Sequence, residues 1–272
     1  MNEPHSFATP EPVHLDVRNP AGSVEVTAAE TATSTVEIRP RSERPDARER
    51  AERVAVELSA DGRRLTVAVP ERRAVFGRGT AALDIRVTVP TGSQLALHTA
   101  SAEVSARGRF AALDARTASG GIAVEEVTGP ADVYAASGGV RIGAAGTLDV
   151  RTASGDIRLA HATGDTDAHT ASGSITIGVA DASVRARTAS GDVEIGEVSD
   201  GRVDAHTASG NVRVGVRAGV AVRLDLSTAS GRARSELPVE DAPPPGGATL
   251  HVRARAASGN VLVTRAAGTG VG

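Results

Sequence analysis

The sequence has no cysteine, no tryptophan and no lysine, so its 30 cations are all arginine. Without cysteine the chain can build no Cys-x-x-Cys metal or redox pair, and it suits the cytosol. The missing lysine accompanies an excess of alanine and glycine, the mark of GC-rich codons, and carries no functional meaning. Aromatic residues number four, Phe7, Phe76, Phe110 and Tyr134. That scarcity removes the stacking platform used on single-stranded nucleic acids. A net charge of −3 and a pI near 6.2 remove the basic face that a nucleic-acid binder needs. No apolar run approaches the length of a membrane span, and MNEPHSFATPEPV lacks the basic end and apolar stretch of a signal peptide. A soluble, cytoplasmic protein without membrane insertion is expected. Phosphate loop, dinucleotide fingerprint and His-Glu-x-x-His are all missing, so no cofactor is expected.

What is present is 40% apolar, almost entirely Ala, Val, Leu and Ile. Such small and branched side chains suit a narrow, stacked interior. They come in a repeat. The motif Thr-Ala-Ser-Gly, or a close variant, places serines at 101, 119, 137, 154, 172, 190, 209, 230 and 258, in steps of 18, 18, 17, 18, 18, 19, 21 and 28 residues. A degenerate tenth copy, RNPAGSVEV, runs from Arg18 to Val26.

The columns of this repeat define its structure. Six residues before the serine stand Leu113, Ala131, Leu148, Thr166, Val184 and Val203; four before stand Ala115, Val133, Val150, Ala168, Ala186 and Ala205. Three after come Ile122, Val140, Ile157, Ile175, Val193 and Val212; five after come Val124, Ile142, Leu159, Ile177, Ile195 and Val214. Polar residues fill the positions between. Alternation on both sides of the motif predicts two short half-buried strands per repeat, with glycine freeing the bend between them. Two strands and two bends in about 18 residues make one coil of a solenoid. The expected fold is all-β: a single-stranded parallel β-helix of about ten coils, right-handed by the general preference of crossovers. One coil alone cannot offset the entropy of ordering its backbone, so the coils fold together. Threonine two before the serine should point inward and hydrogen-bond to its stacked copies. The motif then reads as a structural corner, since nine equivalent serines cannot each own a His–Asp pair.

Ends of such stacks need caps. Residues 13–90 read as an irregular β-rich N-terminal cap continuous with the solenoid, with strands at Val13–Arg18, Val24–Thr27, Thr35–Arg39, Val54–Leu58, Leu65–Val69 and Leu83–Val89. A helix is expected over Pro45–Arg53 and an exposed loop over Glu71–Thr80. Residues 91–265 carry the regular coils, with ELPVEDAPPPGGA, Glu236–Ala248, inserted as a loop before the last one. Residues 1–12 and 266–272 read as disordered tails.

One outward face bears an acidic column (Asp114, Asp132, Asp149, Asp167, Asp204) beside a column of Arg116, Tyr134, Arg151, His169, Arg187 and His206. These eleven residues are the candidate binding face. Carboxylates on adjacent coils would stand about 4.8 Å apart, near the spacing of a retaining glycosidase, and some parallel β-helices do cleave polysaccharides. Nothing distinguishes one coil from the rest, however, and no catalytic residue is assigned. His169 and His206 lie two coils apart, about 10 Å, too far to share zinc. Asp156 and Asp192, each following Ser-Gly, suit a turn better than a calcium loop, so no metal site is assigned.

The pattern of strand, T-A-S-G-D-[VI], strand, with the N-terminal GSVEV and the final RAASGNVLVTR, resembles the bacterial adhesin-like family known as domain-of-unknown-function family 4097. The resemblance covers about residues 13–265. It implies a β-solenoid, an adhesin label and, for some members, an association with envelope stress; it brings no catalytic residues. The expected function is a non-enzymatic scaffold or protein-binding module. An adhesin or carbohydrate binder is the alternative, and a polysaccharide-cleaving enzyme comes third. The expected partner is another protein, with self-association through the coil ends as a further route.

Overall fold

The computed structural model describes residues 4–70, 82–238 and 249–266. The loop assigned to Glu71–Thr80, most of the insertion 236–248 and most of the tail 266–272 lie outside the described residues. The chain divides into two units, Met1–Gly138 and Gly139–Gly272. In each, strands that precede a Ser-Gly corner form one sheet (the upstream sheet). Strands that follow it form a second (the downstream sheet).

The first unit contains β1 (His5–Ala8), β2 (His14–Asn19), β3 (Gly22–Ala29), β4 (Thr33–Pro40), helix α1 (Pro45–Glu52), β5 (Ala55–Leu58), β6 (Arg64–Ala68), β7 (Leu83–Pro90), β8 (Gln94–Thr99), β9 (Glu103–Phe110), β10 (Ala112–Thr117), β11 (Ile122–Val127) and β12 (Ala131–Ser137). Its downstream sheet runs β1-β4-β7-β3-β9-β11 and its upstream sheet β12-β10-β8-β2-β6-β5. The second unit contains β13 (Val140–Ala145), β14 (Leu148–Ser154), β15 (Ile157–Ala162), β16 (Thr166–Ser172), β17 (Ile175–Ala180), β18 (Val184–Ser190), β19 (Val193–Val198), β20 (Arg202–Ser209), β21 (Val212–Val216), β22 (Ala221–Ser230), β23 (Ala233–Ser235), β24 (Thr249–Ser258) and β25 (Val261–Arg265). Its downstream sheet runs β13-β15-β17-β19-β21-β25-β23 and its upstream sheet β22-β24-β20-β18-β16-β14.

Pairing is parallel and in register between repeats: Leu148 stands beside Thr166, Thr170 beside Thr188, Ser172 beside Ser190. The aliphatic columns fill the interior, with Ile157, Ile175, Val193 and Val212 all buried on the downstream side. This is the β-solenoid that the 18-residue period predicts. The helix over Pro45–Glu52 is also present, with proline in its first turn.

Antiparallel pairs close one edge of the first unit: β1 with β4, β4 with β7, and β5 with β6. Here residues 4–12 depart from the expected tail. β1 pairs with β4, and the Thr9 hydroxyl is buried against that of Ser34 at 2.7 Å. A four-residue strand, HSFA, is too short for alternation to reveal it.

The second departure concerns rung order. The coil β2/β3 lies between β6/β7 and β8/β9. At the other end of the chain, β24/β25 lies between β20/β21 and β22/β23. The last coil in sequence is therefore an interior rung, and β22/β23 is the outer one. Its inward residues Val222, Leu224 and Leu226 are only half-buried, whereas Val252 and Val203, one and two rungs inward, are buried.

The corner has a definite construction. Thr152, Thr170, Thr188 and Thr207 are buried, as the alternation requires. Their hydroxyls do not bond one another, in contrast to the expected ladder. Thr170, Thr188 and Thr207 donate to the carbonyls of Gly155, Gly173 and Gly191 in the preceding rung, at 3.2, 3.0 and 2.9 Å. In the degenerate copy Asn19 takes the threonine position, and its amide donates to the Leu83 carbonyl at 2.9 Å.

Candidate functional site

The outward positions of the upstream sheet are set by the same alternation that buries its aliphatics. All eleven candidate residues occupy them and are half-buried or exposed. In the first unit Asp114 stands beside Asp132 and Arg116 beside Tyr134. Tyr134, 55% exposed, is the exposed large hydrophobic residue among those described. In the second unit Asp149 and Asp167 are neighbours, and Arg151, His169, Arg187 and His206 follow one another rung by rung.

Acidic and cationic columns largely engage each other. Arg116 meets Asp114 at 3.2 Å and Arg151 meets Asp149 at 2.7 Å, each two residues along its own strand. Asp167 is bonded by Arg185 of the next rung at 3.2 Å, and His169 Nε2 lies 2.7 Å from its other oxygen. Arg187 reaches the next rung to Asp204 at 3.2 Å. Exposed pairs of this kind contribute little stability individually, but they fix a repeating pattern of charge. The adjacent carboxylates Asp149 and Asp167 are thus each occupied by a cation. The corner serines are exposed, and two in the first unit donate to backbone: Ser101 to Pro20 and Ser119 to Ala100.

Asp156 and Asp192 belong to a ladder that the sequence only hints at. Asp156 Oδ1 accepts the Ser174 N–H at 3.0 Å, Asp192 Oδ1 the Asn211 N–H at 2.7 Å, and Asn211 Oδ1 the Asn260 N–H at 3.0 Å. Each side chain satisfies the backbone of the equivalent corner one rung on. Among the described residues no group of three or more His, Asp or Glu could hold a metal ion.

The Ser174 N–H, aided by Arg158, holds the Asp156 carboxyl below the usual carboxylate range. A carboxyl whose folded pKa is depressed stabilises the fold above its unfolded value, near 4, and that contribution is lost as pH falls through the lower folded value. Asn211 shows that an asparagine keeps the acceptor. Asp156→Asn is therefore expected to be less stable than the parent at pH 7, with the gap closing at pH 3 in urea unfolding. A gap independent of pH would show that the charge contributes nothing there.

Two features escape the sequence reading. On the outside of the downstream sheet, His161 Nε2 lies 2.6 Å from Asp181 Oδ2, and Arg217 bonds both Asp181 and Glu197. The hydrogen bond from His161 leads the effects that lower the Asp181 pKa. On the upstream sheet a groove of about 470 Å³ is lined by β20, β22 and β24, with Arg202, Arg223 and His251 along it. No helix of the described residues is long and apolar enough to cross a membrane.

The sequence profile of one family, Toastrack DUF4097, matches residues 13–242. Among solved structures, a candidate adhesin from Bacteroides fragilis is 13% identical, with 97% of this chain and 96% of that one covered and a TM-score of 0.43. A candidate adhesin from Parabacteroides distasonis is 13% identical over 96% and 97% of the two chains, with a TM-score of 0.38. A candidate lipid-binding protein from the same species is 12% identical over 95% and 96%, with a TM-score of 0.39. No protein with a curated description is similar enough to count as a relative.

Proposed function

The chain belongs to the Toastrack DUF4097 family, and from that premise we propose that it is a non-enzymatic binding scaffold whose upstream sheet docks another protein in the cytoplasm. The observation that carries this reading is the regularity of the outward face. Asp149, Arg151, Asp167 and Arg187 recur at fixed spacing on rigid strands, paired with neighbouring side chains. A partner with complementary charge at the same repeat can exchange these weak pairs for interfacial ones, and such complementarity confers specificity more than raw affinity. The coils that carry these four residues resemble one another, so none of them is singled out as a catalytic centre. The absence of cysteine favours the cytoplasm.

The test compares proteins captured from native cytosol by the parent chain and by a charge-reversed form, Asp149→Arg, Asp167→Arg, Arg151→Glu and Arg187→Glu. The expected outcome is loss of the captured set with the reversed form and its retention by a control reversed at Glu194 and Arg213 on the other sheet. Identical captured sets would remove this face as the docking surface. Native protein found outside the cell would move the reading to adhesion.

A further inference from the structure

Seven residues before each corner serine lies an outward position at the start of the upstream strand. Along most of the repeat it is small or uncharged: Gln94, Ala112, Pro130, Thr147, Ser183, with Asp165 the acidic case. In the three remaining copies of the motif it is cationic or imidazole, Arg202, Arg223 and His251; in the first unit the same register holds His14 and Arg64 in the β2 and β6 rungs. Stacking in chain order would set the three as Arg202, Arg223, His251. Because β24 lies between β20 and β22, His251 pairs in register with Arg202 on one side and with Arg223 on the other. The interleaved coil thus sets an imidazole between two guanidiniums, each about 4.8 Å from the next along the sheet.

Among the described residues none of these three side chains has an acidic partner. The carboxylates sharing the groove are already engaged. Asp225 is bonded by Arg253 at 2.9 Å and Arg255 at 3.1 Å, and Asp204 by Arg187 at 3.2 Å. The groove therefore keeps uncompensated positive charge at Arg202 and Arg223. Its volume of about 470 Å³ exceeds what one bare phosphate fills and falls in the range of small-molecule sites. No aromatic ring lines it, so it can grip charge but cannot stack a base.

We propose that this groove binds a phosphate monoester or diphosphate group, with Arg202 and Arg223 clamping the phosphoryl oxygens from either side and His251 adding a third hydrogen bond between them. Guanidinium forks match phosphate oxygens bidentately. Two guanidiniums flanking one imidazole favour a compact dianion over a single carboxylate. The phosphate can come from a soluble metabolite or from a lipid headgroup.

The experiment uses the full chain at low salt. Calorimetric titration with inorganic pyrophosphate, alongside acetate, is paired with flotation on phosphatidylcholine vesicles with and without phosphatidic acid. Pyrophosphate is expected to bind and acetate not. The double variant Arg202→Gln/Arg223→Gln should lose about tenfold or more in affinity, with its melting temperature unchanged. Arg213→Gln, on the opposite sheet, should bind as the parent does. Flotation with phosphatidic acid that the double variant abolishes, without pyrophosphate binding, assigns the phosphate to a lipid and keeps the site. Binding in neither arm, or equal loss with Arg213→Gln, overturns the proposal.

Discussion

Replacing Gly191 with alanine lowers stability by about 3–5 kcal/mol, the sum of left-handed backbone strain and overpacking. The same change at Gly219 costs about 1–2 kcal/mol. Both glycines have positive φ, +142° and +80°. They differ in what a methyl group would meet. At Gly219 nothing lies within 4 Å, whereas at Gly191 the new carbon would sit 2.1 Å from the Gly173 carbonyl oxygen. That oxygen already accepts the Thr188 hydroxyl, and Gly191 itself donates to the Ser209 carbonyl. The corner has little room to move aside, because the Gly191 carbonyl is stacked just as closely on Gly210 of the next rung, where an added Cβ would lie 2.1 Å from it. Relief at one rung therefore compresses the next. Urea unfolding of the two variants checks the contrast, and equal losses would show that strain in φ alone, and not the approach of the rungs, fixes glycine in the motif.

The same comparison explains why the fold was readable and the rung order was not. Alternation around Thr-Ala-Ser-Gly reports local facts: which side chains face inward, where the chain bends, and that Thr188 is buried while Ser190 is exposed. These depend only on a residue's own strand. Which rung stacks on which depends on pairing between copies that are nearly identical, so the neighbours of β24 carry no local mark. Consecutive stacking was the natural expectation, and β2/β3 and β24/β25 both break it. The candidate face divides in the same way. Asp149 and Arg151 sit two apart on one strand, and their adjacency was legible. The placement of His251 between Arg202 and Arg223 exists only after the last coil is set between two earlier ones. β1 was invisible for a different reason, since four residues cannot display a period.

Removing the last coil is expected to unfold more than it deletes. In a sequentially stacked solenoid a chain ending at Pro238 would lack a single outer rung. Here it lacks an interior rung, and β22/β23 loses the surface it pairs with. Dropping β22 directly onto β20 would keep the corners in register, but it would set Asp225 opposite Asp204 and Arg223 opposite Arg202. In the intact chain Arg253 separates the two aspartates and bonds Asp225 at 2.9 Å, and His251 separates the two arginines. Like charges directly opposite on neighbouring strands oppose pairing, by about 0.2–1 kcal/mol for each pair. The bonds from Arg253 and Arg255 to Asp225 disappear as well. Hydrogen exchange on the 1–238 chain is therefore expected to show residues 221–235 unprotected while β14 to β21 stay protected. Exchanging the two charges in the truncated chain, Arg223→Asp with Asp225→Arg, places opposite signs across the new pair and should restore protection to 221–235. Full protection in the truncated chain without that exchange would mean that the charge columns do not dictate rung order, and that the last coil is interleaved for some other reason.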